Sequence, residues 1–208
     1  MSFADKLEIK ALELFMRYGI KSVSMDDLAK SLGISKKTIY AEVANKETLL
    51  ARVMERFLVN EFQRTSFVSQ ESLNAITELI KVANLASQTL ESIQPVIVYD
   101  LKKYFPEQWE MMHQLLFEHI YEVMLLNIQR GRQEGLYSED FNEDIVCRLY
   151  VGNVLVLFDE DLFPSQLYSK TLIYKEMIVQ YIRSICNQKG IDTLLQHDAD
   201  FYQIKYTK

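Results

Sequence analysis

Lys36 and Lys37 stand side by side directly after Ser35, with Thr38 and Tyr40 close behind and Glu42 and Lys46 a few residues further on. Two ammonium groups and several hydroxyls on so short a segment can hydrogen-bond to phosphate oxygens, and a lysine in the first turn of a helix can reach O6 or N7 of guanine. The ordinary alternative for such a pair is a solvated helix face. What separates the two readings is whether the surrounding elements hold this segment outward in a defined geometry.

Those elements are legible. Phe3, Leu7, Ala11, Leu14 and Phe15 recur at three-to-four-residue spacing, so they form the apolar stripe of a first helix that runs to about Tyr18 and stops at Gly19. Ser24 before Met25, Asp26 and Asp27 reads as an N-cap followed by acidic residues that oppose the helix dipole. The second helix buries Leu28, Ala29 and Leu32 and ends at Gly33, a residue able to take the left-handed conformation of a tight turn. Ser35 caps a short third helix whose Ile39 and Val43 point back at the first two, and Asn45 caps a fourth from Lys46 to about Thr65. Small Ala29 and, four residues on, Gly33 give Ser24 to Lys46 the pattern of a helix-turn-helix. The B-DNA major groove admits one helix, and a preceding helix must brace it across the backbone.

Composition sets the outer limits. Three Pro and six Gly in 208 residues leave long stretches without backbone breakers, which favours an all-α fold. The net charge of −6 is uneven: residues 1–50 hold eight Lys or Arg against seven Asp or Glu, while the remainder holds 15 against 22. Any nucleic-acid contact is therefore expected in the N-terminal segment, since the body repels phosphate. Cys147 and Cys186 fall in apolar helical stretches and read as small buried hydrophobes. No signal-peptide pattern and no run of eighteen uncharged apolar residues occurs, so a cytoplasmic location without membrane contact is expected.

After the polar stretch Ser66 to Ser72, further helices are expected from Leu73 to about Glu91, Pro95 to Tyr104, Pro106 to Gln133, Glu143 to Phe158 and Tyr168 to Gln188. The apolar residues of the long Pro106 helix cover more than one face, placing it centrally. Ile145, Leu149, Leu155 and Val156, with Leu172, Ile173, Ile178, Ile182 and Ile185, exceed what one small body would bury. A homodimer through these last two long helices is the expected outlet. The tail after Gly190 remains unassigned. Catalytic readings are weak: His113 and His119 are six residues apart and cannot form an i, i+4 metal pair, and Asp159 to Asp161 read as a solvated helix end. No phosphate loop or nucleophile elbow occurs, so neither an enzyme nor a cofactor or metal is expected.

The run AxxLFxxxGxxSVSMDDLAKSLGISKKTIYxxVxNKExLL, from Ala11 to Leu50, closely resembles the N-terminal domain of TetR family regulators. The Gly-Arg-Gln-Glu-Gly-Leu-Tyr segment from Gly131 is similar to that family's body. The resemblance implies an all-α dimer of about nine helices: a helix-turn-helix domain over residues 1–47 for double-stranded DNA, and a ligand-binding and dimerisation domain over residues 48–208. Family DNA-facing positions fall on Ser24, Ser35, Lys36, Lys37, Thr38, Tyr40, Ala41, Glu42 and Lys46. Thr38 and Tyr40 offer hydroxyls to phosphates, and Lys46 adds charge beside a helix N-terminus. Ala41 and Glu42 depart from the family pattern, where relatives often carry an aromatic or His. Glu42 either accepts from a cytosine amine, pairs with a nearby Lys or points away.

The same resemblance implies a cavity lined by the sixth and seventh helices, with Tyr99, Tyr104, Trp109, Met112, His113, Phe117 and Asn153 as candidates and an unidentified small apolar or aromatic molecule as ligand. For each of these residues plain core packing is the competing reading. The expected function is a ligand-responsive repressor on a pseudo-palindromic operator; the alternative is a helical small-molecule-binding dimer whose DNA binding is lost or weak.

Overall fold

The computed structural model describes residues 1–197, and over them the chain is all-helical. Ten helices follow in order: α1 Phe3–Tyr18, α2 Met25–Leu32, α3 Lys36–Glu42, α4 Lys46–Gln70, α5 Ala75–Ser92, α6 Pro95–Tyr104, α7 Pro106–Gln133, α8 Glu143–Val156, α9 Lys170–Ile185 and α10 Gln188–His197. The tenth takes up part of the tail left unassigned by the sequence; Asp198, Asp200 and the remaining residues fall outside the described ones. No helix among the described residues is long and apolar enough to cross a membrane.

The chain divides into two compact units. One comprises Met1–Glu61 and Ile93–Leu116, the other Phe62–Ser92 and the chain from Phe117 on, so that α4 and α7 supply residues to both. The sequence boundary near residue 47 is thus not where the packing divides: α6 and the start of α7 belong with the first three helices.

The reason lies in the first unit's core. Leu7, Ala11 and Phe15 of α1, Leu28 and Ala29 of α2, Ile39 of α3 and Leu49, Leu50 and Val53 of α4 are buried together with Ile97, Leu101 and Phe105 from the α6 segment. Three helices of seven to sixteen residues cannot close a core alone, and each large aliphatic side chain removed from water contributes about 1.5–3 kcal/mol. Helix starts are set locally: Ser2 with Asp5 and Ser24 with Asp27 form reciprocal capping boxes on α1 and α2.

In the second unit α5 and α8 pack on α9, and α10 packs on α5. A polar staple closes it. Arg130 of α7 binds Glu78 at 2.9 Å and Glu134 at 2.8 Å and donates to the Ser72 carbonyl at 2.8 Å. Tyr137, buried, donates to Asn127 at 2.8 Å, and Asn127 donates to the Ala75 carbonyl at 2.9 Å. Tyr137 lies flat over Gly131, where a Cβ would stand 2.1 Å from its ring. This explains the glycine in the Gly-Arg-Gln-Glu-Gly-Leu-Tyr segment.

The apolar ladders of α8 and α9 behave differently from one another. Ile178, Ile182 and Ile185 of α9 are spent inside the chain, correcting their assignment to a partner-facing surplus. Ile145, Leu149 and Val156 of α8 and Leu172 of α9 remain exposed, Leu149 to 62%.

Candidate nucleic-acid interface

The α2–α3 turn is built at Gly33, which adopts φ 67° and ψ 32°. Its N–H and that of Ile34 return to the Ala29 and Lys30 carbonyls, so α2 is terminated and the chain is turned within three residues. Ser35 then caps α3 by accepting from the Thr38 N–H at 3.1 Å. With Ile39 fully buried and Val43 at 3% exposure anchoring its inner side, the opposite face of α3 is delivered to solvent.

That face carries most of the expected residues. Ser24, Ser35, Lys36, Lys37, Thr38, Tyr40 and Ala41 are exposed, while Glu42 and Lys46 are half-buried. Their functional groups are not equally available. Lys36 is held by Asp26 of α2 at 2.9 Å, which braces the two helices and raises the lysine pKa. Ser24 gives its hydroxyl to the Asp27 carboxylate at 2.6 Å, and Ser35 and Thr38 share a hydrogen bond of 2.9 Å. Lys37 forms no ion pair among the described residues and keeps its ammonium for an incoming group.

Glu42 resolves its three alternatives in favour of an ion pair, but with a partner the sequence did not single out: Arg52 of α4, at 3.1 Å. The pair neutralises the carboxylate that would otherwise repel phosphate. Lys46 also departs from expectation. Its ammonium donates to the carbonyls of Ile20 and Val23, with Lys21 O at 3.4 Å, closing off the α1–α2 turn. Burial pushes its pKa down, opposed by Asp100, Glu47 and Asp27. In this conformation it is a strut of the turn, because three carbonyls converge where water is scarce.

Asp100 of α6 was missed by sequence reading. It is 4% exposed and accepts the Lys21 N–H at 2.8 Å, while its Oδ2 and Val96 crowd the surface of Gly19. The available signal was an aspartate inside an otherwise apolar helix face.

The ligand candidates scatter. Tyr99 is 52% exposed and its hydroxyl accepts from Lys103, so it lies on the surface, and Tyr104 beside it is exposed as well. Trp109 and Met112 pack against the core of the first unit, and Trp109 sits 4.2 Å from the His113 ring. Phe117 and Asn153 belong to the second unit, the former 6.1 Å from Tyr121 and the latter exposed on α8. Tyr99, Tyr104 and Asn153 thus lie on the surface: helical periodicity gave their spacing but not the side they face. Among the described residues four buried side-chain polar atoms lack a hydrogen-bond partner, and two of them are imidazole nitrogens, His113 Nε2 and, in the second unit, His119 Nε2; burial lowers both histidine pKas. His119 is stacked on Phe62 with ring centroids 3.7 Å apart.

A capped helix, a three-residue turn at a left-handed glycine and a second helix with a polar outward face define a helix-turn-helix DNA-binding protein with a helical body. The profile of bacterial regulatory proteins of the tetR family matches residues 10–53. The uncharacterized HTH-type transcriptional regulator YvaF of Bacillus subtilis is 27% identical over 141 residues, 67% of this chain and 73% of that one. The HTH-type transcriptional repressor ComR of Escherichia coli is 39% identical over 49 residues, 24% of this chain and 23% of that one. Among solved structures, a Saccharomonospora viridis protein in complex with choline shares the fold at a TM-score of 0.71, with 17% identity over 89% of this chain and 98% of its own. Residues 10–53 thus carry the DNA-binding segment shared by bacterial regulators of the tetR family, and the described chain has the all-helical fold of solved transcriptional regulators.

Proposed function

We propose that the protein is a ligand-responsive repressor that acts in the cytoplasm and, as a homodimer, binds a pseudo-palindromic operator. The observation that carries this reading is the outward polar face of α3, with Lys37 and Tyr40 exposed and Lys36 braced by Asp26. Two such helices presented by a two-fold dimer meet half-sites about one helical turn, or a multiple of one, apart. The exposed stripe of Ile145, Leu149 and Val156 on α8, with Leu172 on α9, supplies the self-complementary face for that dimer. Repression is the function named for ComR.

For the ligand, the unpartnered Nε2 of His113, within the first unit, favours a small, largely apolar molecule able to engage a neutral imidazole. Such a molecule changes DNA binding only if its affinity differs between the two spacings of the reading heads. Choline in the Saccharomonospora viridis structure is an instance of a small molecule held by this fold.

Selection of bound DNA from a random pool tests binding and operator symmetry together. A two-fold symmetric site that the Lys36→Ala/Lys37→Ala variant no longer enriches is the expected result. Recovery of no sequence at low salt, with wild type and variant alike, would overturn the reading in favour of a small-molecule-binding dimer with weak DNA binding.

A further inference from the structure

Four residues of the first unit form an exposed cationic–aromatic patch that the helix-turn-helix does not use. Lys21, in the turn three residues before the Ser24 cap of α2, places its ammonium 3.8 Å from the centre of the Tyr104 ring at the end of α6. Lys103 lies 5.5 Å from the same ring and donates to the Tyr99 hydroxyl at 2.6 Å. Two ammonium groups are therefore gathered around one phenol ring, against their mutual repulsion. The rings offset that repulsion by presenting their negative faces and a phenol oxygen.

No carboxylate among the described residues competes for them. Among the described residues neither Lys21 nor Lys103 forms an ion pair, and the nearby acid, Asp100, is buried and spends its carboxylate on the Lys21 backbone N–H. The lysines hold the Tyr104 hydroxyl below the usual phenol range, as expected where positive charge is concentrated.

We infer that Lys21, Lys103, Tyr99 and Tyr104 form a second DNA contact, which grips the phosphate backbone flanking the half-site read by α3. The chemistry fits: paired ammonium donors with phenol hydroxyls beside them bind phosphate oxygens without reading sequence. Placement fits too, since Lys21 lies on the turn that leads directly into the DNA-facing start of α2. The inference rests on the DNA-binding reading above and extends its footprint beyond the half-site.

The test uses the full-length protein and the operator from the random pool, in duplexes that end at the half-sites or continue about ten base pairs beyond each. Wild type should bind the longer duplex several-fold more tightly at ~0.15 M salt. Its salt slope should also be steeper, by roughly 0.9 for each added phosphate contact. In Lys21→Ala/Lys103→Ala the two duplexes should bind alike while the selected core sequence is unchanged; the substitutions leave the Lys21 N–H to Asp100 intact. Lys21→Arg/Lys103→Arg should restore the flank dependence. Equal binding of both duplexes by wild type, or undiminished flank dependence in the alanine variant, would overturn the flanking contact and leave the repressor reading standing. Failure to bind any duplex would remove both.

Discussion

The carboxylate of Asp100 on α6 accepts the backbone N–H of Lys21 at 2.8 Å, joining the helix that closes the head's core to the turn that launches α2. The Lys46 ammonium is electrostatically coupled to that carboxylate and caps three carbonyls of the same turn. Asp100→Ala should cost about 1–3 kcal/mol in urea unfolding, because the N–H is left without an acceptor. Asp100→Asn should recover most of that loss, since an amide oxygen still accepts. Equal losses in both variants would show that charge opposite Lys46, rather than the hydrogen bond, holds the turn.

At Gly33 the backbone is left-handed and nothing lies within 4 Å of an added Cβ. The cost of substitution is therefore conformational. Gly33→Ala should lower stability by about 1–2 kcal/mol, Gly33→Asn by less, and Gly33→Val by more, as read from unfolding midpoints. A ranking in which Asn is the worst would contradict this account.

Glu42, at the end of α3, and Arg52 of α4 neutralise each other beside the face proposed to meet DNA. Glu42→Gln frees the guanidinium for phosphate and removes a carboxylate from the interface. Operator affinity should rise a few-fold at low salt, with a salt slope steeper by roughly one per protomer. Unchanged affinity and slope would place this pair outside the DNA footprint.

His119 gives a pH signature. Burial lowers its pKa in the folded chain below the ordinary 6.5. The unfolded chain therefore takes up a proton first as the pH falls, and stability drops below about pH 6.5. Replacing it by Phe keeps a ring on Phe62 and removes the titration. His119→Phe should flatten the fall in urea midpoint between pH 7.5 and about pH 5.5, with His113 accounting for part of the remainder. An unaltered pH profile would disprove the assignment.

The helix-turn-helix was readable from sequence because its determinants are local. Ser24 caps within three residues, Gly33 turns within one, and the inward residues recur at helical spacing within each helix, Met25, Leu28 and Ala29 on α2 and Ile39 and Val43 at α3, so each is set by backbone sterics and spacing. The same locality made Lys37 and Tyr40 legible as outward residues. Helix periodicity also located α6 to α9 closely, since few prolines and glycines interrupt them.

Which groups are engaged could not be read that way. The pairing of Glu42 with Arg52 spans ten residues, Lys46 reaches carbonyls up to 26 residues back, and Asp100 meets Lys21 across 79. Likewise, Ile178 and Leu149 look equivalent in sequence, yet one is buried and the other bare. Sequence alone determined the elements, the turn and the cation-bearing face of the reader, because those depend on residues within a turn or two of one another. Only the tertiary structure decided which charges are spent on struts, which apolar stripe is left uncovered and how α6 joins the head, because those depend on the neighbours that folding brings together.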